Sequence, residues 1–429
     1  MIKTNSRRDV LKLAGAATLA SLMPSGKSFA QAAGNVVVIG GGFGGGTVAK
    51  YLRKAGVNVT LIDANAGFVT CPFSNTVLGG FGEMRQVSHT FDGMRRAGVN
   101  VVTGTVTAID SAAKRVTVQG NATPIAYDRL VLSPGIDFKF AGTAGAIAGY
   151  DEAATEKMPH AWKAGPQTEL LRRQLIAMDD GGVVVMTIPN NPYRCPPGPY
   201  ERASLIAHYM KTSKPRSKII LLDGKDTFSK QGLFQAAWTA LYPGMIEWVS
   251  FSQGGNVARV DPATNTVFTD FGQHKGNVVN VIPPQRAGRV VDLIPSLATG
   301  DYCQVNPTTF ESRSVPNVHV LGDACVAGAM PKSGFSANNQ GKVTAVAVAA
   351  LLRGQAPVAP SMINVCYSLV NPDYGISVSS VHKIGDDGTI ISVPNSGGTS
   401  PAMATTEFRK MEADYARGWY ASISNEIWG

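Results

Sequence analysis

A chain of 429 residues in which 44% are hydrophobic and 16% charged can bury a large core, which excludes a disordered or fibrous protein. Part of its formal charge of +9 sits in the first thirty residues, where five basic residues face one acidic residue. The rest is too mild and dispersed a charge to mark a nucleic-acid binder.

The chain opens with SRRDVLK (Ser6–Lys12), a weakly apolar run LAGAATLASLM, then Pro24 and GKSFAQAA. Paired arginines, a short apolar core and small residues at a cleavage site are the features of a twin-arginine-type export signal over residues 1–30. Val10 stands where that motif usually has phenylalanine. Eleven apolar residues are too few to cross a bilayer, which needs roughly twenty. The expected location is the periplasm, and no later run suggests stable membrane insertion.

NVVVIG then reads as a strand running into GGFGGGTVAKYLRKAG, a turn and helix. Gly40, Gly42 and Gly45 fit G-x-G-x-x-G: a tight turn, close backbone approach to a pyrophosphate, and close helix packing. The helix N-terminus offers free N–H groups to the phosphate. A second strand, NVTLID, ends at Asp63, where a carboxylate receives a ribose hydroxyl. A dinucleotide site is expected.

Two later stretches, YDRLVLSPGI (Tyr127–Ile136) and VPNVHVLGDACVAGAMPKSGFSANNQGKVTAVAVAALLRG, resemble the paired landmarks of FAD domains in two-dinucleotide flavoproteins. That resemblance implies FAD, with Gly322 and Asp323 at the ribityl chain and the next helix aimed at the flavin. The helix dipole, with Lys332 beside it, would stabilise negative charge on the reduced ring. A solvated surface role for Lys332 stays open.

Between these landmarks the order strand, helix, strand recurs in GGVVVMTIP, ERASLIAHYMKTS and SKIILLDG, which ends in Asp223. The intervening turn, NNPYRCPPGPYE, has one glycine and four prolines. Prolines remove N–H donors and stiffen the loop, so the expectation is a nucleotide-type frame that no longer binds NAD(P). Its electrons must then come from another donor.

There are five cysteines, Cys71, Cys195, Cys303, Cys325 and Cys366, and neither C-x-x-C nor C-x-x-C-H occurs. The chain therefore carries no haem-attachment or zinc motif of its own. VVVIGGGFGGGTVAKYL, CPFSNTVLGG, YRCPPGPYERAS, VVNVIPPQRAG, GDACVAGAMPKSGFSANNQGK and YGISVSS together resemble the flavoprotein subunit of flavocytochrome c sulfide dehydrogenase, a relative of the sulfide:quinone oxidoreductases. The resemblance spans essentially the whole mature chain, although the residues flanking Cys71, GFVT and PFSN, depart from the family's surroundings.

The resemblance implies FAD joined by a thioether to Cys71 and a redox disulfide between Cys195 and Cys366 beside it. It further implies electrons passing from sulfide to a haem carried by a c-type cytochrome subunit. Glu201, about one helical turn after Cys195, is a candidate proton carrier, with a helix-start carboxylate as the alternative. Arg194 and Arg202 draw an anionic substrate or are structural. Cys303 and Cys325 remain as small buried hydrophobes, with a bridge between them a lesser alternative.

From about residue 355 the chain reads as short strands with turns at GDDGT and NSGGT, resembling the interface domain that carries Cys366. A final helix holds Tyr415, Trp419, Tyr420 and Trp428. The expected class is α/β with two Rossmann-like domains and a small C-terminal α+β interface domain. The divisions are the signal at 1–30, an FAD domain at 34–149 and 276–354, a degenerate NAD-type domain at 150–275, and the interface domain at 355–429. A quinone-reducing sulfide oxidase and a non-catalytic accessory flavoprotein are the rival readings.

Overall fold

The computed structural model describes residues 34–429; the expected export signal over residues 1–30 lies outside the described residues. Runs of β-branched residues build the first sheet. β1 (Asn35–Ile39) turns through the glycines into α1 (Phe43–Lys54), which returns to β2 (Asn58–Asp63), with β3 (Asn100–Thr103) and β4 (Arg129–Leu132) beyond.

The second unit contains α2 (Pro166–Ala177), β5 (Val183–Ile188), α3 (Gly198–Ser213), β6 (Lys218–Asp223), α4 (Gln231–Leu241), β7 (Ile246–Val249) and β8 (Val278–Val281). The chain then returns to the first sheet through β9 (Val318–Val320) and α5 (Gly334–Leu352).

The first sheet has the order β9-β4-β1-β2-β3 and the second β7-β6-β5-β8, each parallel throughout. Parallel sheets need both faces covered, and Val36, Val37 and Val38 of β1 are each at most 1% exposed. The fold is α/β with two Rossmann-like units. The expected boundary at 275 falls short, because β8 pairs with β5 from Val184↔Val278 to Thr187↔Val281 and belongs to the second sheet. A fully buried VVNV run carries no mark of which sheet it joins.

The C-terminal unit is also larger in its elements than expected. β10 (Ser361–Asn371) and β11 (Tyr374–Ile384) form one antiparallel hairpin of eleven-residue strands, followed by α6 (Thr406–Trp428). Ser and Asn are weak strand formers, and pairing across the hairpin carries them within these long strands. The hairpin packs against α3 and α5, which brings residues of β10 to the seam between the two parallel-sheet units. Among the described residues, no helix is long and apolar enough to cross a membrane.

Candidate active site

A cavity of about 790 Å³ runs along that seam. At one end it is lined by the turn between β1 and α1 and by Asp63 at the end of β2. Gly40 holds φ of +100°, and a Cβ there would stand 2.3 Å from the Ser133 carbonyl oxygen; only glycine fits. A Cβ on Gly45 would lie 2.0 Å from the Gly40 carbonyl oxygen, so this glycine sets the contact between helix and turn. Asp63 Oδ2 accepts the Gly41 N–H at 2.8 Å and Oδ1 accepts the Asn65 N–H at 2.9 Å. Burial raises its pKa against those two bonds. α1 has no side-chain cap and no acidic residue in its first turn, which leaves its N-terminus open to an anion.

The cavity is also lined by Gly322, with φ of +73°, and Asp323. Asp323 Oδ1 is buried without a hydrogen-bond partner among the described residues. Burial raises this carboxyl's pKa. An unsatisfied buried acceptor is costly, and its position beside the glycine turn fits a hydroxylated chain such as the ribityl of FAD. Ser333 caps α5 by accepting the Ser336 N–H at 3.0 Å, and Gly334 and Phe335 at that helix start also face the cavity.

Lys332 does not line this cavity. Its Nζ donates to the carbonyls of Asp323 (2.7 Å) and Cys325 (2.8 Å) and lies 3.7 Å from the Tyr302 ring centre. It faces a neighbouring cavity of about 390 Å³. The expected Lys332 thus stands outside the residues that line this cavity, its ammonium taken up by these two carbonyls. Its own carbonyl has a different use, accepting the Cys195 N–H at 2.7 Å.

Cys195 has φ of +58°, uncommon for a residue with a side chain. Arg194 N–H donates to Gln285 Oε1 at 2.8 Å, the Cys195 carbonyl accepts the Gly198 N–H at 2.8 Å, and Tyr193 Oη donates to the Pro196 carbonyl at 2.8 Å. The loop is therefore fastened as well as proline-stiffened. A Cβ on Gly198 would lie 2.9 Å from Cys195 Sγ, so the sulfur sits over the first residue of α3. Burial pushes this thiol's pKa well up, with Cys71, Glu201 and Cys366 acting the same way and Arg194 opposing.

Cys71, Cys195, Cys366 and Glu201 all line the cavity, although they come from separate parts of the chain. None of the five cysteines is bridged in this structure. Cys71 Sγ donates to the Trp162 carbonyl at 3.4 Å, which also accepts from Arg194 Nη2. Asn364 Nδ2 donates to Cys366 Sγ at 3.4 Å, while Asn364 Oδ1 accepts from Ser333 Oγ (2.6 Å) and Ser336 Oγ (3.1 Å).

Glu201 accepts from Asn75 Nδ2 at 2.9 Å and from the Leu369 N–H at 2.8 Å. Burial raises its pKa despite them. Arg202 is structural: 1% exposed, it donates to Asn75, Asn280 and the carbonyls of His160 and Ala161. Cys303 and Cys325 are buried, and burial pushes both thiols up to about 12.

In the second unit the acid that ends β6 is enclosed. Asp223 is 0% exposed and accepts from Tyr200 Oη (2.5 Å), Trp248 Nε1 (3.0 Å) and Lys225 Nζ (2.6 Å). Phe228 stacks on Tyr200 with ring centres 3.6 Å apart.

Two residues with no motif brace segments that line the site. Trp428, near the C-terminus, donates from Nε1 to the Gly41 carbonyl at 3.0 Å and stacks on Phe68. Lys230 donates to the Cys366 carbonyl at 3.0 Å. An indole near a chain end and a lysine in a polar loop give no sequence signal for either contact.

A glycine-turn cradle on one parallel sheet, a second such sheet beside it, and cysteines at the seam define a flavoprotein oxidoreductase of the two-dinucleotide-domain class. Comparison with known proteins narrows this. Residues 34–185 match the family model of pyridine nucleotide-disulphide oxidoreductases. Residues 168–283 match the central domain of the sulfide dehydrogenase [flavocytochrome c] flavoprotein chain, and residues 358–428 the flavin-binding domain of flavocytochrome c sulphide dehydrogenase.

The sulfide dehydrogenase [flavocytochrome c] flavoprotein chain of Chlorobaculum thiosulfatiphilum is 61% identical over 44 residues, 10% of this chain and 92% of that sequence. The type II NADH:quinone oxidoreductase NdhA of Mycobacterium tuberculosis is 34% identical over 111 residues, 25% of this chain and 24% of that one. Among solved structures, the sulfide:quinone oxidoreductase of Aquifex aeolicus superposes with a TM-score of 0.70 at 18% identity, covering 92% of both chains. The chain belongs to the family of flavocytochrome c sulfide dehydrogenase flavoprotein chains.

Proposed function

We propose that this chain oxidises sulfide at a Cys195–Cys366 disulfide and passes the electrons through FAD to a c-type cytochrome subunit. The observation that carries the reading is that Cys195, on a loop of the second unit, and Cys366, on the C-terminal hairpin, reach the same cavity that the glycine turn lines. The likeness to the Chlorobaculum sulfide dehydrogenase flavoprotein chain supports sulfide as the donor.

Hydrosulfide attacks one sulfur of the pair. A new S–S bond forms to the incoming sulfur, the old one breaks, and its electron pair leaves on the other cysteine as thiolate. The persulfide proton passes to Glu201, whose carboxylate burial makes a better proton acceptor than an ordinary glutamate. Arg194 opposes the negative charge accumulating near Cys195. Gly40, Gly42, Asp63, Gly322 and Asp323 would hold FAD, which would supply a two-electron acceptor able to release electrons singly, as a haem requires.

Cys71, which lines the same cavity, is the residue proposed to hold the flavin by a thioether. The second unit is proposed to bind no NAD(P): prolines occupy its phosphate turn, and Asp223 is enclosed by Tyr200, Trp248 and Lys225. Export to the periplasm by residues 1–30 belongs to the same proposal.

The test is sulfide-dependent reduction of the cytochrome in a complex co-purified with the chain. Reduction that needs no quinone supports the proposal. Reduction of quinone without cytochrome favours the quinone-reducing reading, and absence of sulfide turnover favours an accessory flavoprotein.

A further inference from the structure

Lys230 immediately precedes α4, in the left-handed region at φ of +61°, and is 7% exposed. Its Nζ donates to the Cys366 carbonyl (3.0 Å), Ser368 Oγ (2.8 Å) and the Ile376 carbonyl (3.4 Å), so it grips both strands of the hairpin. From α3, Glu201 takes the neighbouring Leu369 N–H at 2.8 Å. Two residues of the second unit thus hold the strand that carries Cys366.

An ammonium this buried needs a reason. Anchoring a hairpin requires only a neutral donor, whereas a desolvated charge is costly. Among the described residues Lys230 has no carboxylate within ion-pair distance. Its surroundings are the Phe234 ring at 5.8 Å, and the titratable groups Cys366, Glu201, Cys195 and Glu412. Burial lowers its pKa to about 8, against the pull of those four groups. Strained backbone conformations of this kind persist where surrounding structure demands them.

We infer that Lys230 is a positioning residue for Cys366, fixing its strand and placing a positive charge beside the anionic sulfur that turnover forms there. The inference rests on the sulfur-pair reading above. Attack on Cys195 leaves a thiolate on Cys366; attack on Cys366 leaves a persulfide there, anionic once Glu201 has its proton. In either direction negative charge arises next to Lys230. The ammonium then favours the reduced pair over the disulfide.

The experiment equilibrates the FAD-loaded chain in dithiothreitol or glutathione redox buffers, traps thiols by alkylation, and quantifies the Cys195 and Cys366 peptides by mass spectrometry. In Lys230→Met the reduced-to-oxidised ratio at fixed buffer should fall about tenfold, the scale of one charge interaction at an effectively aqueous-to-intermediate dielectric. Lys230→Arg should restore it. Lys230→Gln, which keeps donors without charge, should fall like Lys230→Met.

Above about pH 8 the wild-type advantage over Lys230→Met should collapse as the ammonium loses its proton, while that of Lys230→Arg persists. A wild-type ratio in Lys230→Gln with normal FAD content overturns the inference, because hydrogen bonding alone then suffices. A wild-type protein with no Cys195–Cys366 linkage at any poise sinks the sulfur-pair reading and this inference together; a linkage indifferent to Lys230 sinks this one alone.

Discussion

Tyr200 donates a 2.5 Å hydrogen bond to Asp223 Oδ2, the carboxylate that ends the second strand of the second parallel sheet. In a dinucleotide domain that carboxylate receives a ribose hydroxyl. Here Tyr200, Trp248 and Lys225 take up both of its oxygens inside the protein.

Anaerobic mixing with NADH or NADPH should therefore leave the flavin oxidised on the timescale at which sulfide bleaches it. Tyr200→Phe should not create NADH activity, since Phe228 and Trp248 still occupy the space. It should cost about 1–3 kcal/mol of stability by removing one donor from a buried carboxylate, read from urea unfolding. Rapid bleaching of the wild type by NADH would contradict the reading of the second unit.

The flavin linkage gives a separate expectation. Acid-precipitated wild-type protein should retain its yellow colour on the polypeptide, and Cys71→Ala should release FAD to the supernatant. Flavin wholly in the wild-type supernatant would show that Cys71 forms no covalent bond.

Glu201 gives a pH expectation. Its folded pKa is raised, chiefly by burial, so the carboxylate becomes protonated at a higher pH than an ordinary glutamate. As a proton acceptor it works only when ionised. Sulfide-dependent flavin reduction should thus decline as pH falls through that raised value, and Glu201→Gln should lower the rate while removing this limb. An unchanged acid limb in Glu201→Gln would assign the titration elsewhere.

The cradle is a packing prediction. Gly45→Ala would place a Cβ 2.0 Å from the Gly40 carbonyl oxygen, an overlap that must move either helix or turn. A loss of about 1–3 kcal/mol or more is expected in thermal unfolding, together with reduced FAD content. Normal FAD content would show that the turn tolerates the shift.

Much of this site was readable from local pattern. Gly40, Gly42, Gly45 and Asp63 follow one strand-turn-helix-strand unit, and the proline-rich turn around Cys195 marks itself by what it lacks. Contacts made by distant segments were not readable. Trp428 reaches Gly41 from the far end of the chain, and Lys230 reaches Cys366 from a loop without motif. The place of Lys332 before a helix gave no sign that the Asp323 and Cys325 carbonyls would take up its ammonium. Arg202, open between substrate attraction and structure, is enclosed by its acceptors. Residue type announced the chemistry available; only packing decided which charges face the cavity.

The central claim is that Cys195 and Cys366 together relay electrons from sulfide to the flavin, and stopped-flow anaerobic mixing of sulfide with FAD-loaded protein tests it most directly. Wild-type flavin absorbance should bleach, and Cys303→Ser should behave like wild type. Cys195→Ser and Cys366→Ser should each keep FAD and fold yet lose sulfide-dependent bleaching. Bleaching at the wild-type rate in either single variant would contradict the account.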